Sequence, residues 1–171
     1  FIFIGLTVVL YSPFDRWYGQ AYTSFELWRG ERTPLWAYFN HWGFFLFILI
    51  SWVVHYILHW MKSTPLSALE PFYRHRKYIY LTALLLFFIV VALYAYGIEI
   101  SIIVIPLIVI FLILLVFDKN ASESKLFTYF LACIGLGLTL MVEMVTLKGD
   151  IGRMNMVFKF YLQAWTFISI S

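Results

Sequence analysis

Two short stretches of an otherwise apolar chain carry the residues suited to chemistry. In LWRGERTPLWAYFNHWG, Arg29 and Arg32 stand just ahead of Thr33 and Pro34. That pair suits a helix N-cap followed by the first helical position, because proline lacks an amide hydrogen that this position could not bond anyway. Exposed amides and the dipole at a helix start favour an anion, so two guanidinium groups there predict a phosphate or carboxylate seat. The competing reading is contact with lipid headgroups, balanced by Glu26 and Glu31. In LKGDIGRMNMVFKFYLQAW the arrangement repeats: Gly149, Asp150 and Gly152 approach a helix whose first turn holds Arg153. Asn155, Lys159 and Gln163 then follow at four-residue spacing, on one face of that helix. A polar stripe is costly against lipid, which predicts that Lys159 and Gln163 face a bundle interior or wet cavity. Snorkelling by Lys159 and a helix-to-helix bond from Gln163 form the alternative.

Asp150 is a candidate general base for a hydroxyl. A helix N-cap is its favoured reading, since no second carboxylate pairs with it in the sequence. Glu143, at the end of an apolar run, and Glu99, in a short turn, rank below it. Trp17, Tyr18, Tyr22, Trp28 and Trp36 would stack on sugar rings, although membrane interfaces enrich the same residues without any ligand. His55 and His59 stand one turn apart but lack the acid of an HExxH metal site, and Cys133 is alone. No metal-ligating residues, cofactor or nucleic-acid partner are expected, a divalent-metal requirement being left open by the sequence, and no P-loop, GxGxxG or GxSxG is present.

The elements that must position these residues lie in a membrane. Hydrophobic residues make up 63% of the chain and charged residues 12%, against roughly 45–50% and about 25% in soluble domains. Asn40–Trp60 carries no Lys, Arg, Asp or Glu, and at about 1.5 Å per residue it crosses the roughly 30 Å hydrocarbon layer. Tyr78–Phe117 is about twice the length of one crossing, and a turn at Gly97, Ile98 and Glu99 divides it into Ile79–Tyr96 and Ile100–Phe117. The polar run DKNASESK precedes another span, Leu126–Val142. The expectation is an all-α, polytopic transmembrane bundle with four complete spans. Two truncated spans, Phe1–Tyr11 and the helix from Ile151 onward, complete a single domain, 1–171, excerpted from a larger protein.

Four crossings between Ser12–Phe39 and Glu143–Asn155 put both polar segments on one side, where they can build one site. The 12 Lys and Arg divide evenly between the two sides. The dense cluster Arg74–Lys77 inclines toward the cytoplasm by the positive-inside tendency, which places the polar segments outside.

At WYGQAYTSFELWRGERTPLWAYFNHWGFFLF and LKGDIGRMNMVFKFYLQAW the chain resembles the YYY (Chlor_Arch_YYY) membrane proteins. This is a prokaryotic family of uncharacterised function grouped with the GT-C membrane glycosyltransferases. The resemblance rests on Arg32–Gly43 and on Arg153, Asn155 and Lys159, and it covers about a third of the chain. It implies transfer of a sugar from a polyprenyl-phosphate carrier to an acceptor at the extracytoplasmic face. A carboxylate in a first external loop, absent from residues 1–171, would take the acceptor proton. This region would supply the lipid-phosphate site, with Arg29, Arg32, Arg153, Asn155, Lys159 and Gln163 around the anion. A transporter or flippase for a lipid-linked or anionic solute is the second expectation, and a non-catalytic membrane scaffold the third. A transport route needs polar groups through the midplane, and Ile79–Phe117 offers almost none.

Overall fold

The computed structural model describes residues 2–17, 24–63, 70–118, 121–148 and 153–171. Seven helices and two short strands occur among them in the order α1 (Ile2–Trp17), β1 (Ser24–Leu27), α2 (Leu35–Ser63), α3 (Glu70–Arg74), α4 (Arg76–Ala95), α5 (Ser101–Phe117), α6 (Glu123–Met144), β2 (Val145–Lys148) and α7 (Arg153–Ile170). The all-α expectation holds, with 83% of the described residues helical. Among the described residues, three helices are long and apolar enough to cross a membrane, within Leu35–Lys62, Arg76–Ala95 and Glu123–Met144. α5, expected as the third of the four full spans, is shorter at 17 residues, or about 25 Å. Pro106 lies inside α5 without ending it.

The core runs down α2 through Tyr38, Trp42, Leu46, Leu49 and Val53, a spacing of three and four residues that lines one helix face. Against it lie Val104, Leu107 and Phe111 of α5, Tyr129, Ala132 and Leu136 of α6, and Ala164 and Ile168 of α7. α4 buries none of its residues. Leu86, Val90 and Leu93 are half-buried, Leu93 against the core, and the other apolar side chains of α4 face outward, as membrane-facing residues do.

α6 and α7 come close together at Gly135. A Cβ built there would stand 2.5 Å from Ile168 Cγ1 and 3.3 Å from the Ala164 carbonyl oxygen. Small residues at such crossings let helix backbones approach where no hydrophobic drive operates between helices in lipid. Gly135→Ala is accordingly expected to push α7 away and to destabilise by about 1–3 kcal/mol, the usual cost of overpacking. The midpoint of unfolding in mixed detergent micelles measures it, and an unchanged midpoint would contradict this packing.

The turn between α4 and α5 falls where the sequence places it. Gly97 adopts φ +93°, a conformation that L side chains rarely take, and it lets the chain reverse over five residues. At the opposite end of α5, Ser122 caps α6 by accepting from the Lys125 amide. α6 thus begins three residues before the expected span.

Candidate functional site

The two polar segments meet through a ribbon that the sequence did not announce. β1 pairs antiparallel with β2 in the register Ser24 with Lys148, Phe25 with Leu147, Glu26 with Thr146 and Leu27 with Val145. The Trp28 amide extends the ladder by donating to the Met144 carbonyl at 2.9 Å. An exposed ion pair, Lys148 Nζ to Glu26 Oε1 at 3.5 Å, decorates it and adds little stability of its own. The consequence is positional: residues 28–34 lie over the C-terminal end of α6 and the first turn of α7.

At that junction sits Glu143, 0% exposed in the last turn of α6. A carboxylate at a helix C-terminus opposes the dipole, and a buried one without partners is costly. Here it is fully engaged. Thr33 donates its amide to Oε2 at 3.0 Å and its hydroxyl to Oε1 at 2.6 Å. Arg153 Nη2 donates to Oε1 and, at 3.0 Å, to the Thr33 hydroxyl oxygen. Arg153 Nε reaches the Val142 carbonyl at 3.2 Å, so one guanidinium satisfies both the acid and a terminal carbonyl of the same helix.

Arg32 works differently. Its Nε, Nη1 and Nη2 donate to the carbonyls of Glu143, Tyr96 and Trp28 at 3.1, 2.9 and 2.9 Å, and its plane lies over the Tyr96 ring at 4.4 Å. The planar fork of arginine suits this three-way tie, which joins the ribbon, α6 and the α4–α5 turn. Glu99 in that turn accepts from the Leu35 amide at 2.7 Å, capping α2 from a distance. The first α-helical bond of α2 runs from the Tyr38 amide to the Pro34 carbonyl. Thr33 is therefore not the cap its sequence suggests, because its hydroxyl and amide are committed to Glu143. The anion-favouring start of α2 thus holds two carboxylates of the chain itself.

The sequence-derived candidates divide by location. Arg32 and Arg153 converge on Glu143, one at its carbonyl and the other at its carboxylate. Arg29 is exposed at the rim of a recess of about 570 Å³ lined also by Glu26, Leu27, Trp28, Gly30 and Thr146. The Trp28 indole donates to the Glu31 carbonyl at 2.8 Å and faces the Arg153 guanidinium at 5.9 Å. Gly30 is required beneath it, since a Cβ there would fall 2.3 Å from Trp28 Cζ2. On α7, Asn155 and Lys159 are half-buried and engaged with other groups, whereas Gln163 is exposed. Met156, Ala164 and Ile168 form the buried face of α7, so the polar stripe runs along its flank. Asp150 lies outside the described residues.

A second hollow, about 290 Å³, follows α7 from the residue after Arg153: Met154, Val157, Phe158, Tyr161, Leu162 and Trp165 line it with His41 of α2. Its walls are apolar. The Tyr161 hydroxyl and the Trp42 indole nitrogen are buried there, with no hydrogen bond of standard geometry among the described residues and their rings 5.1 Å apart.

Glu143 and Thr33 are the residues that sequence reasoning ranked low or assigned to another role. One signal pointed to them: a lone acid at the end of an apolar span must find a cation, and Arg153 follows ten residues later. Among the described residues no group of three or more His, Cys, Asp or Glu is placed to hold a metal ion.

The model of one family, described as an uncharacterized membrane protein, DUF2298, matches residues 1–168. The chain belongs to the DUF2298 family. No curated protein and no solved structure matches it. Membership agrees with the apolar helices, and together they make the chain a multi-pass membrane protein. In this DUF2298 chain the polar side chains of widely separated segments gather at one end of the bundle.

Proposed function

We propose that this DUF2298 protein is a membrane glycosyltransferase of the GT-C kind. It would transfer a sugar from a polyprenyl-phosphate carrier to an acceptor at the extracytoplasmic face, with this region forming the lipid-phosphate site. The observation that carries the reading is the apolar hollow lined by α7 from Met154, the residue after Arg153, to Trp165, in a bundle whose Glu143 end also carries the exposed Arg29. A lipid-linked phosphate needs that combination, an apolar track for its tail and fixed positive potential for its head.

Roles follow from the bonds each residue makes. Arg29, which is exposed, contacts the phosphate, and Asn155, Lys159 and Gln163 flank it from α7. Arg32 and Arg153, whose donors are engaged inside the protein, hold the ribbon and helix starts in place and add positive potential. As the sugar leaves, charge builds on the lipid phosphate, and preorganised donors stabilise it more than they stabilise the intact donor. Trp28 offers a flat apolar surface suited to a sugar ring. The polar groups cluster at one end, which favours a one-sided reaction over a route through the bilayer.

The full chain reconstituted in liposomes, supplied with radiolabelled polyprenyl-phosphate sugars, tests this. Arg29→Ala is expected to lower transfer about a hundredfold, the usual loss when one charge-stabilising donor is removed. Equal transfer by wild type and Arg29→Ala, or none by wild type with any sugar, would overturn the reading.

A further inference from the structure

The far end of α4 holds a second positively charged feature that the site above does not use. α4 ends beside Tyr96, whose carbonyl accepts from Arg32, and it begins 20 residues earlier at Arg76, about 30 Å away along the helix. That distance is the thickness of the hydrocarbon layer, so Arg76 marks the opposite membrane surface.

There, a break at His75 separates α3 from α4 and opens a recess of about 480 Å³ lined by Tyr73, Arg74, Arg76, Lys77, Tyr78 and Leu81. Arg74 closes α3, where a cation suits the dipole. Arg76 and Lys77 do not: they occupy the first turn of α4, at the positive end of its dipole, with no acid in that turn and no side chain capping it. No described acid forms an ion pair with Arg74, Arg76 or Lys77. Three cations crowded at a positive helix end repel one another and the helix, and a local rule broken in this way marks a site that something else completes. An anion in the recess would attract all three cations and the positive end of α4, offsetting that repulsion.

The surroundings identify the anion's carrier. Tyr73 and Tyr78 are exposed, 67% and 71%, as amphipathic rings are at headgroup depth. Leu81, at the foot of the recess, begins the lipid-facing surface of α4. A ligand charged at the top and apolar below fits this gradient. We propose that Arg74, Arg76 and Lys77 bind the phosphate of an anionic phospholipid headgroup from the leaflet opposite the Glu143 end.

The full chain purified in neutral detergent, with phosphatidylglycerol and phosphatidylcholine as probes and native mass spectrometry as readout, tests the proposal. Wild type is expected to retain phosphatidylglycerol in preference to phosphatidylcholine. Retention should weaken as salt shortens the screening length from about 10 Å to about 3 Å. Changing Arg74→Gln, Arg76→Gln and Lys77→Gln together should cost on the order of a hundredfold in phosphatidylglycerol affinity, at roughly a few-fold per juxtamembrane cation. Lys125→Gln, an exposed cation outside the recess, should change little. The triple variant should also unfold no earlier than wild type in lipid-free detergent, because it removes the repulsion at the start of α4. Equal phosphatidylglycerol binding by wild type and the triple variant would overturn the proposal. So would capture of polyglutamate with no preference between the two lipids, which would assign the recess to an acidic protein segment.

Discussion

Replacing Arg153 with alanine is expected to destabilise the protein by about 3–5 kcal/mol, the range for breaking a buried ion pair from one side. The size follows from what remains. Glu143 has a side chain only 1% exposed, so its carboxylate would keep the Thr33 amide and hydroxyl but lose its cation in a place water does not reach. The Val142 carbonyl would lose its side-chain donor as well. Changing both partners to apolar residues, Glu143→Leu with Arg153→Met, removes the stranded charge. The double variant should therefore be more stable than Arg153→Ala alone, even though Thr33 then lacks an acceptor. Unfolding midpoints in mixed detergent micelles give the comparison. An Arg153→Ala protein within about 0.5 kcal/mol of wild type, as surface changes usually are, would show that the pair does not form.

Arg32→Lys should cost about 2–4 kcal/mol although the charge is kept. Hydrogen bonds from charged donors contribute about 1.5–3 kcal/mol each, and an ammonium group cannot reach three carbonyls arranged around a planar fork. Trp28, Tyr96 and Glu143 supply those carbonyls from three different parts of the chain, so their loss loosens the ribbon, the α4–α5 turn and the end of α6 together. Arg29→Lys, at the exposed rim, should leave stability unchanged. The same micelle assay separates the two arginines, and equal losses at both positions would contradict the roles assigned to them.

The contrast between these arginines also shows what a sequence displays and what it withholds. The helices were legible because long apolar runs in a low-charge chain have few alternatives in lipid. The turn at Gly97–Glu99 was legible because a glycine and an acid interrupt one such run. Parity then placed residues 12–39 and 143–155 on one side, and the β1–β2 pairing brings parts of both together. The ribbon itself was not legible: SFEL and VTLK are four residues each, too short for a period to emerge, and their pairing spans most of the chain. Glu143 was undervalued for a related reason. Arginines ahead of a helix start point to an anion, but they do not say whether it is a ligand or a carboxylate from elsewhere in the fold. Here Glu143 and Glu99 come from the end of one span and the turn between two others. Four-residue spacing put Asn155, Lys159 and Gln163 on one face of α7, yet only the packing of Met156, Ala164 and Ile168 decides which face is turned inward.

All functional readings of this end of the bundle depend on two segments more than a hundred residues apart lying side by side. A cross-strand disulfide measures that directly. Phe25→Cys with Leu147→Cys pairs residues that stand opposite each other in the ribbon, and Cys133→Ala removes the native thiol. Rapid oxidation of this pair, with slow oxidation when Phe25→Cys is combined with Val145→Cys instead, is the expected result. Failure of the opposed pair to close, or equal closure by both, would contradict the account.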